Sequence, residues 1–257
     1  MDTDLYTQPA TTLTPALVIY LIDTSDSMNE WCGEVTKIDL VNTALRESLR
    51  HMIRRSMRDG IPQPQYLVAI LSYNTRIVDL LGGIRSLPDL VQAGVPKLVA
   101  QGETDMAGGF AAVEKLLQQY QESLLHSASL RRPAPLVCHL TDAHFTTEDP
   151  TPVVKRIQGM RFSDGPVLVE QVYMVEAILR QPVQDWRQWS GVLKPNEITN
   201  IHARRLFHLS SPLPHTYRQN INDYGYQLQK EAQLFFSGTH PELVKLAFAM
   251  SAGTRLR

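Results

Sequence analysis

Two kinds of hydrophobic spacing alternate along the chain. Residues 16–23 (ALVIYLID) form a nearly continuous apolar run, the pattern of a strand buried on both faces of a mostly parallel sheet. Over 37–58 the apolar positions take helical spacing, at Leu40, Val41, Ala44, Leu45, Leu49, Met52, Ile53 and Met57, and Gly60 and Pro62 supply stop signals. A second buried strand is predicted at 66–72, with Ile77 to Leu81 as a short edge strand beside it. A helix follows over Ala107 to Leu125, opening after a Thr-Asp pair able to cap it. Leu136 to Leu140 and Val167 to Val175 read as further strands around a helix at 150–158, and Arg205 to Leu209 reads as a sixth strand. Strand and helix in this alternation predict an α/β fold with a parallel core sheet.

The stretch 177–203 carries Trp186 and Trp189 but no clear period, and reads as an excursion between strands whose tryptophans cover a small core of their own. After Ser211 the pattern predicts a helix near 214–224, a strand at 232–236 and a last helix from Pro241. No stretch is rich enough in Gly, Ser or Pro to divide the chain.

Composition narrows the function. Of 257 residues, 43% are hydrophobic and 20% charged, ordinary values for a globular protein. Twenty-five basic against 26 acidic side chains leave a formal charge of -1, which argues against binding nucleic acid or anionic lipid by bulk charge. Cys32 and Cys138 form no C-x-x-C pair, so neither a zinc knuckle nor a disulfide scaffold is expected. The polar N-terminus lacks the features of a secretory signal, and no apolar run approaches the roughly 20 residues needed to span a bilayer. These features predict a soluble, cytoplasmic protein.

In open parallel sheets, ligands bind where loops leave the carboxyl ends of the strands. The first strand ends in DTSDS, with Asp23, Ser25 and Ser27 at alternate positions; the strand at 136–140 runs into Thr141 and Asp142; Thr104 stands at the mouth of a helix. Asp23, Ser25, Ser27, Thr104 and Asp142 would gather at one sheet edge. All offer hard oxygen ligands, which selects Mg²⁺, Mn²⁺ or Ca²⁺ over zinc or copper. Hydroxyls outnumber carboxylates, so a divalent ion there is not over-neutralised and can take one more anionic oxygen from outside.

A buried strand ending in D-x-S-x-S, a Thr ahead of a later helix and a strand ending in Thr-Asp resemble the von Willebrand factor A (vWA) domain with its metal-ion-dependent adhesion site. The resemblance covers roughly 15–210. It implies a doubly wound, mostly parallel, Rossmann-like sheet with helices on both faces: a vWA domain over 15–211 with an irregular insertion near 177–203, and a C-terminal extension, 212–257, packed on the same domain. It also implies that Ser25 and Ser27 bind Mg²⁺ or Mn²⁺ directly, that Thr104 does so directly or through water, and that Asp23 and Asp142 act through waters, Asp23 also orienting the serines. The vacant position of such a site accepts an Asp or Glu from a protein partner. Soluble bacterial members serve as adapters beside ATPases, kinases or phosphatases, including in stress and conflict systems, so a stand-alone, non-enzymatic adapter is expected. Asp26, Asp105 and His144 would line the rim. Two departures stand out: Ala143 follows Thr141-Asp142 where the family commonly has Gly, and Asp105 follows Thr104 where a small or apolar residue is usual.

Other chemistries fit less well. Arg46, Arg50, Arg54 and Arg58 recur every four residues and read as a solvated helix face rather than a phosphate stripe. The glycine-rich phosphate loops and the G-x-S-x-G elbow are missing, which argues against dinucleotides, ATP and α/β-hydrolase chemistry. An aspartic protease would need a second Asp-Thr loop. The alternative kept in view is a Mg²⁺-dependent phosphohydrolase with Asp23 as nucleophile. It would need a second carboxylate two residues on, where Ser25 stands, and a lysine near the strand edge.

Overall fold

The structure, a computed structural model, describes residues 5–125, 130–142, 148–175, 178–223, 225–238, 240–251, 254 and 256. Strand β1 (Ala16–Asp23) is buried along its whole length, as its apolar run requires. It pairs in parallel with β2 (Tyr66–Tyr73) on one side, Ala16 opposite Tyr66 through Asp23 opposite Tyr73. The edge strand β3 (Ile77–Asp79) and the short β4 (Arg85–Ser86) both run antiparallel to β2. On its other side β1 pairs in parallel with β5 (Leu136–Thr141), which pairs with β6 (Leu168–Tyr173), which pairs with β7 (Phe235–Ser237). The sheet order is β7-β6-β5-β1-β2-β3, with β4 off that path.

Helices cover both faces because successive side chains of a strand point to opposite sides. On one face Tyr20 stacks on Phe248 and meets Ser48 through its hydroxyl, which seats α1 (Lys37–Ser56) beside α7 (Pro241–Ser251). On the other face α3 (Met106–Ser123) lies against β1 and β2, followed by α4 (Thr151–Gly159) and α5 (Ile201–Leu209) toward β6. Two further helices are α2 (Leu87–Ala93) and α6 (His215–Asp223). The architecture is the α/β, mostly parallel, Rossmann-like fold that the hydrophobic pattern predicts. Among the described residues no helix is long and apolar enough to cross a membrane.

Three expectations change. Residues 205–209 belong to α5, not to a strand: Asn200 caps that helix by accepting from the N–H groups of His202 and Ala203, and Ala203, Leu206 and Phe207 bury a helical stripe. The strand predicted at 232–236 is β7, Phe235–Ser237. Helix α1 ends at Ser56, because Asp59 and Gly60 both take positive φ (51° and 77°) and turn residues 57–62 into a tight hairpin. Finally, Trp189 does not cover a separate small core; it packs on Phe236 of β7, with Trp186 against it.

Candidate metal centre

The sequence places the oxygen donors at the ends of β1 and β5, and the parallel register brings those ends side by side. Asp23 is fully buried. Its Oδ1 accepts from the Ser25 N–H at 2.9 Å and its Oδ2 from the Thr141 hydroxyl at 2.6 Å, so one carboxylate ties the two strand ends together. Burial pushes the Asp23 carboxyl above the usual carboxylate range, and the hydrogen bonds from Thr141 and Ser25 oppose that shift. Beyond Asp23 the chain makes a single 3₁₀ turn, Asp26–Asn29, held down by the fully buried Met28.

The hydroxyls of Ser25 and Ser27 are 3.1 Å apart, and the Ser27 hydroxyl donates to Asp142 Oδ1 at 2.7 Å. The second oxygen, Asp142 Oδ2, accepts from the Lys37 ammonium at 2.6 Å, and the same ammonium reaches Glu30 Oε2 at 2.6 Å. The Asp142 side chain is 1% exposed and that of Lys37 11%, whereas Glu30 is 68% exposed. Burial works to lower the Lys37 pKa, but the hydrogen bonds and charges of Asp142 and Glu30 outweigh it and hold the ammonium charged.

Thr104 reaches the same edge on a separate loop. The Asp26 N–H donates to the Gly102 carbonyl and the Gln101 N–H to the Thr24 carbonyl, so this loop is clasped to the one after β1. Thr104 is buried, and Asp105 caps α3 by accepting from the Gly108 N–H at 2.9 Å. Asp26 is exposed at the rim. Hydrogen bonds thus link Asp23, Ser25, Ser27 and Asp142 into one cluster, while Thr104 lies two residues beyond the clasp at Gly102. Asp105 serves the helix end, and His144 lies outside the described residues.

Beneath the cluster runs a buried polar chain. The Tyr73 hydroxyl is 2.7 Å from His139 Nε2, and His139 Nδ1 is 2.6 Å from Gln171 Oε1. Since that amide oxygen only accepts, Nδ1 carries the proton and Nε2 accepts from Tyr73. Burial lowers the His139 pKa to about 4, so the ring is neutral at pH 7.

The residues fit a hard cation by chemistry. Among the described residues no three His, Cys, Asp or Glu side chains form a metal-holding group, so an ion here would depend on hydroxyls and water. Asp142 already carries the Lys37 ammonium on one oxygen. Lys37 and Glu30 were not legible as site residues from their types alone. One sign was present: Lys37 is the first residue of α1, where the helix dipole disfavours a cation unless a carboxylate compensates.

No family model matches the sequence, and no curated protein matches it. Among solved structures the chain is similar to the PilB minor pilin from Streptococcus sanguinis, at 12% identity over 92% of this chain and 60% of that one, with a TM-score of 0.52. It is also similar to the pilus adhesin SpaC from Lactobacillus rhamnosus GG, at 10% identity over 96% of this chain and 32% of that one, TM-score 0.52. The chain thus spans less than two thirds of either pilus protein. The SpRpn10 VWA domain aligns with 63% of this chain and 78% of its own, at 10% identity and a TM-score of 0.43. The first two likenesses bear on the fold alone, which the sheet order shows to be a Rossmann-like α/β domain.

Proposed function

We propose that the chain is a vWA-type module that binds a protein partner through a divalent cation, with Mg²⁺ or Mn²⁺ preferred. Asp23, Ser25, Ser27, Thr104 and Asp142 would hold the ion, which when bound supplies an electrophilic position for an Asp or Glu of the partner. The observation that carries this reading is the hydrogen-bonded run Ser25–Ser27–Asp142 beside the buried Asp23, all at the carboxyl edge of the sheet. Asp23 holds the two strand ends in register, Ser27 keeps Asp142 oriented, and Asp26 sits where an approaching partner would pass. The role is that of an adapter and needs no turnover.

The phosphohydrolase alternative gains one part and lacks two. Lys37 supplies a lysine at the strand edge. However, Ser25 still stands where a second carboxylate is required, and Asp23 is fully buried with both oxygens engaged, a poor position for a nucleophile. The two readings separate by experiment. The immobilised chain should retain a partner in Mg²⁺, release it in EDTA and fail to retain it as the Ser27→Ala variant, with no release of phosphate from p-nitrophenyl phosphate. Capture that survives both EDTA and Ser27→Ala, or Mg²⁺-dependent phosphate release, would overturn the proposal.

A further inference from the structure

A second, chemically different site lies far from the metal edge. Between α1, α7 and the excursion after β6 the surface opens into a cleft of about 500 Å³. Four cations converge on it from three elements: Arg50 and Arg54 of α1, Lys245 of α7 and Arg187 of the excursion. Among the described residues Glu47 is the one carboxylate of the lining, and Glu242 engages Lys245 from the side at 3.5 Å. Among the described residues Arg50 and Arg54 have no ion-pair partner. This local excess of positive charge stands in a protein whose formal charge is -1. It therefore reflects placement and not general basicity.

The remainder of the lining is apolar and aromatic. Phe248 and Ile221 are buried in the floor, and the Arg187 guanidinium lies 5.6 Å from the centroid of the half-exposed Tyr226 ring. His51 lines the same wall, its pKa lowered by burial and by the charges of Arg55 and Arg54. A cleft of this volume suits a small organic ligand. Guanidinium forks match phosphate oxygens, and an aromatic ring beside a guanidinium offers a stacking surface for a planar base.

From this juxtaposition we infer that the cleft binds a phosphorylated organic anion of nucleotide type, its phosphates on Arg50, Arg54 and Lys245 and its planar ring against Tyr226 and Arg187. The site needs no glycine-rich loop, because side chains of packed helices supply the donors. Of the four arginines spaced along the first helical segment, Arg50 and Arg54 belong to the cleft, while Arg46 does not line it and Arg58 lies in the hairpin that follows α1. Arg50 and Arg54 stand 13 and 17 residues along α1 from Lys37, about 20–25 Å away at the rise of a helix. The inference is therefore independent of the metal site.

Isothermal titration in buffer containing EDTA tests it, because chelation silences the metal edge and removes metal bridging. ATP should bind with one molecule per chain, and inorganic triphosphate about tenfold more weakly, for want of the stacked base. The Arg50→Ala/Arg54→Ala variant should lose at least about tenfold in ATP affinity, as expected for charge-assisted hydrogen bonds, while its circular dichroism and its Mn²⁺ binding are unchanged. Tyr226→Leu should bring ATP down to the level of triphosphate. Absence of saturable ATP binding, or ATP affinity unaltered in the double-arginine variant, would overturn the assignment. Equal binding of ATP and triphosphate would overturn its stacking half.

Discussion

Replacing Lys37 by Met removes one charge from the proposed metal edge while keeping the length and apolar stem of the side chain. In the native protein the ammonium sits 2.6 Å from Asp142 Oδ2, with both groups largely shielded from water. Unit charges about 4 Å apart attract by about 4 kcal/mol at an effective dielectric constant near 20, and desolvation of both groups takes back much of that. Ser27 continues to donate to the other oxygen of Asp142. The expected net loss in metal-free protein is therefore about 1–3 kcal/mol, or a fall in melting temperature of about 3–10 °C. A divalent cation bound at the proposed site would compete with the ammonium for the same carboxylate. The variant should accordingly bind Mg²⁺ about 10–100-fold more tightly, equivalent to about 1.4–2.7 kcal/mol. The signature is a pair of opposite effects: a lower melting temperature than wild type in EDTA, and a larger rise on adding Mg²⁺. Differential scanning calorimetry across a Mg²⁺ series reads both at once, and Lys37→Arg, which keeps the charge, should behave like wild type. Equal Mg²⁺ affinity in the Met variant and wild type would refute the competition.

Other outcomes follow from the core. His139 is neutral in the folded state with a pKa of about 4, against about 6.5 when unfolded, so the unfolded chain takes up a proton that the folded one refuses. Stability is then full above pH 6.5 and falls by about 3 kcal/mol as pH drops toward 4; His139→Phe should flatten that part of a urea-denaturation series, and an unchanged slope would count against it. Glu170 on β6 shows the opposite sign: burial raises its pKa well above the ordinary value, and the neighbouring Cys138 thiol opposes that shift only in part. Its protonated form favours folding below the unfolded pKa, and that advantage declines as pH rises, so Glu170→Gln should be more stable than wild type at pH 8 and should differ little from it at pH 4. Gly109 of α3 has its missing Cβ position 3.0 Å from Tyr73 Cγ and 3.3 Å from Leu21 Cδ1. Gly109→Ala should therefore lift the start of α3 off the sheet, costing about 1–3 kcal/mol by thermal melt and weakening any metal affinity that depends on Thr104.

Much of this molecule is written in periodicity. The continuous apolar runs at 16–23 and 66–72 locate the central strands, because a strand covered by helices on both faces must be apolar on both. The same logic misplaced a strand at 205–209, where apolar side chains at Leu206, Phe207 and Leu209 alone cannot separate a buried strand from one face of a short helix. Asn200, four residues before Arg204, held the deciding signal through its cap. Helix α2 was missed although Ser86 and Asp89 form a capping box, since its seven residues carry little periodicity. The clustering of Asp23, Ser25, Ser27 and Asp142 was legible because the ends of buried strands can be read from the sequence. Lys37 and Glu30 were not, because their role depends on how the loop after β1 folds back over α1, a tertiary contact with no local pattern. The cleft arginines illustrate the same limit: the four-residue spacing was visible, but which of them face Lys245 and Arg187 is decided by the packing of α7.

The most direct test of the proposed metal site is anomalous diffraction from crystals soaked in Mn²⁺. The account predicts one strong peak per chain among Ser25, Ser27, Thr104 and Asp142, lost in the Ser27→Ala variant. Crystals of comparable quality without a peak at the end of β1, or with one equally strong in that variant, would contradict it.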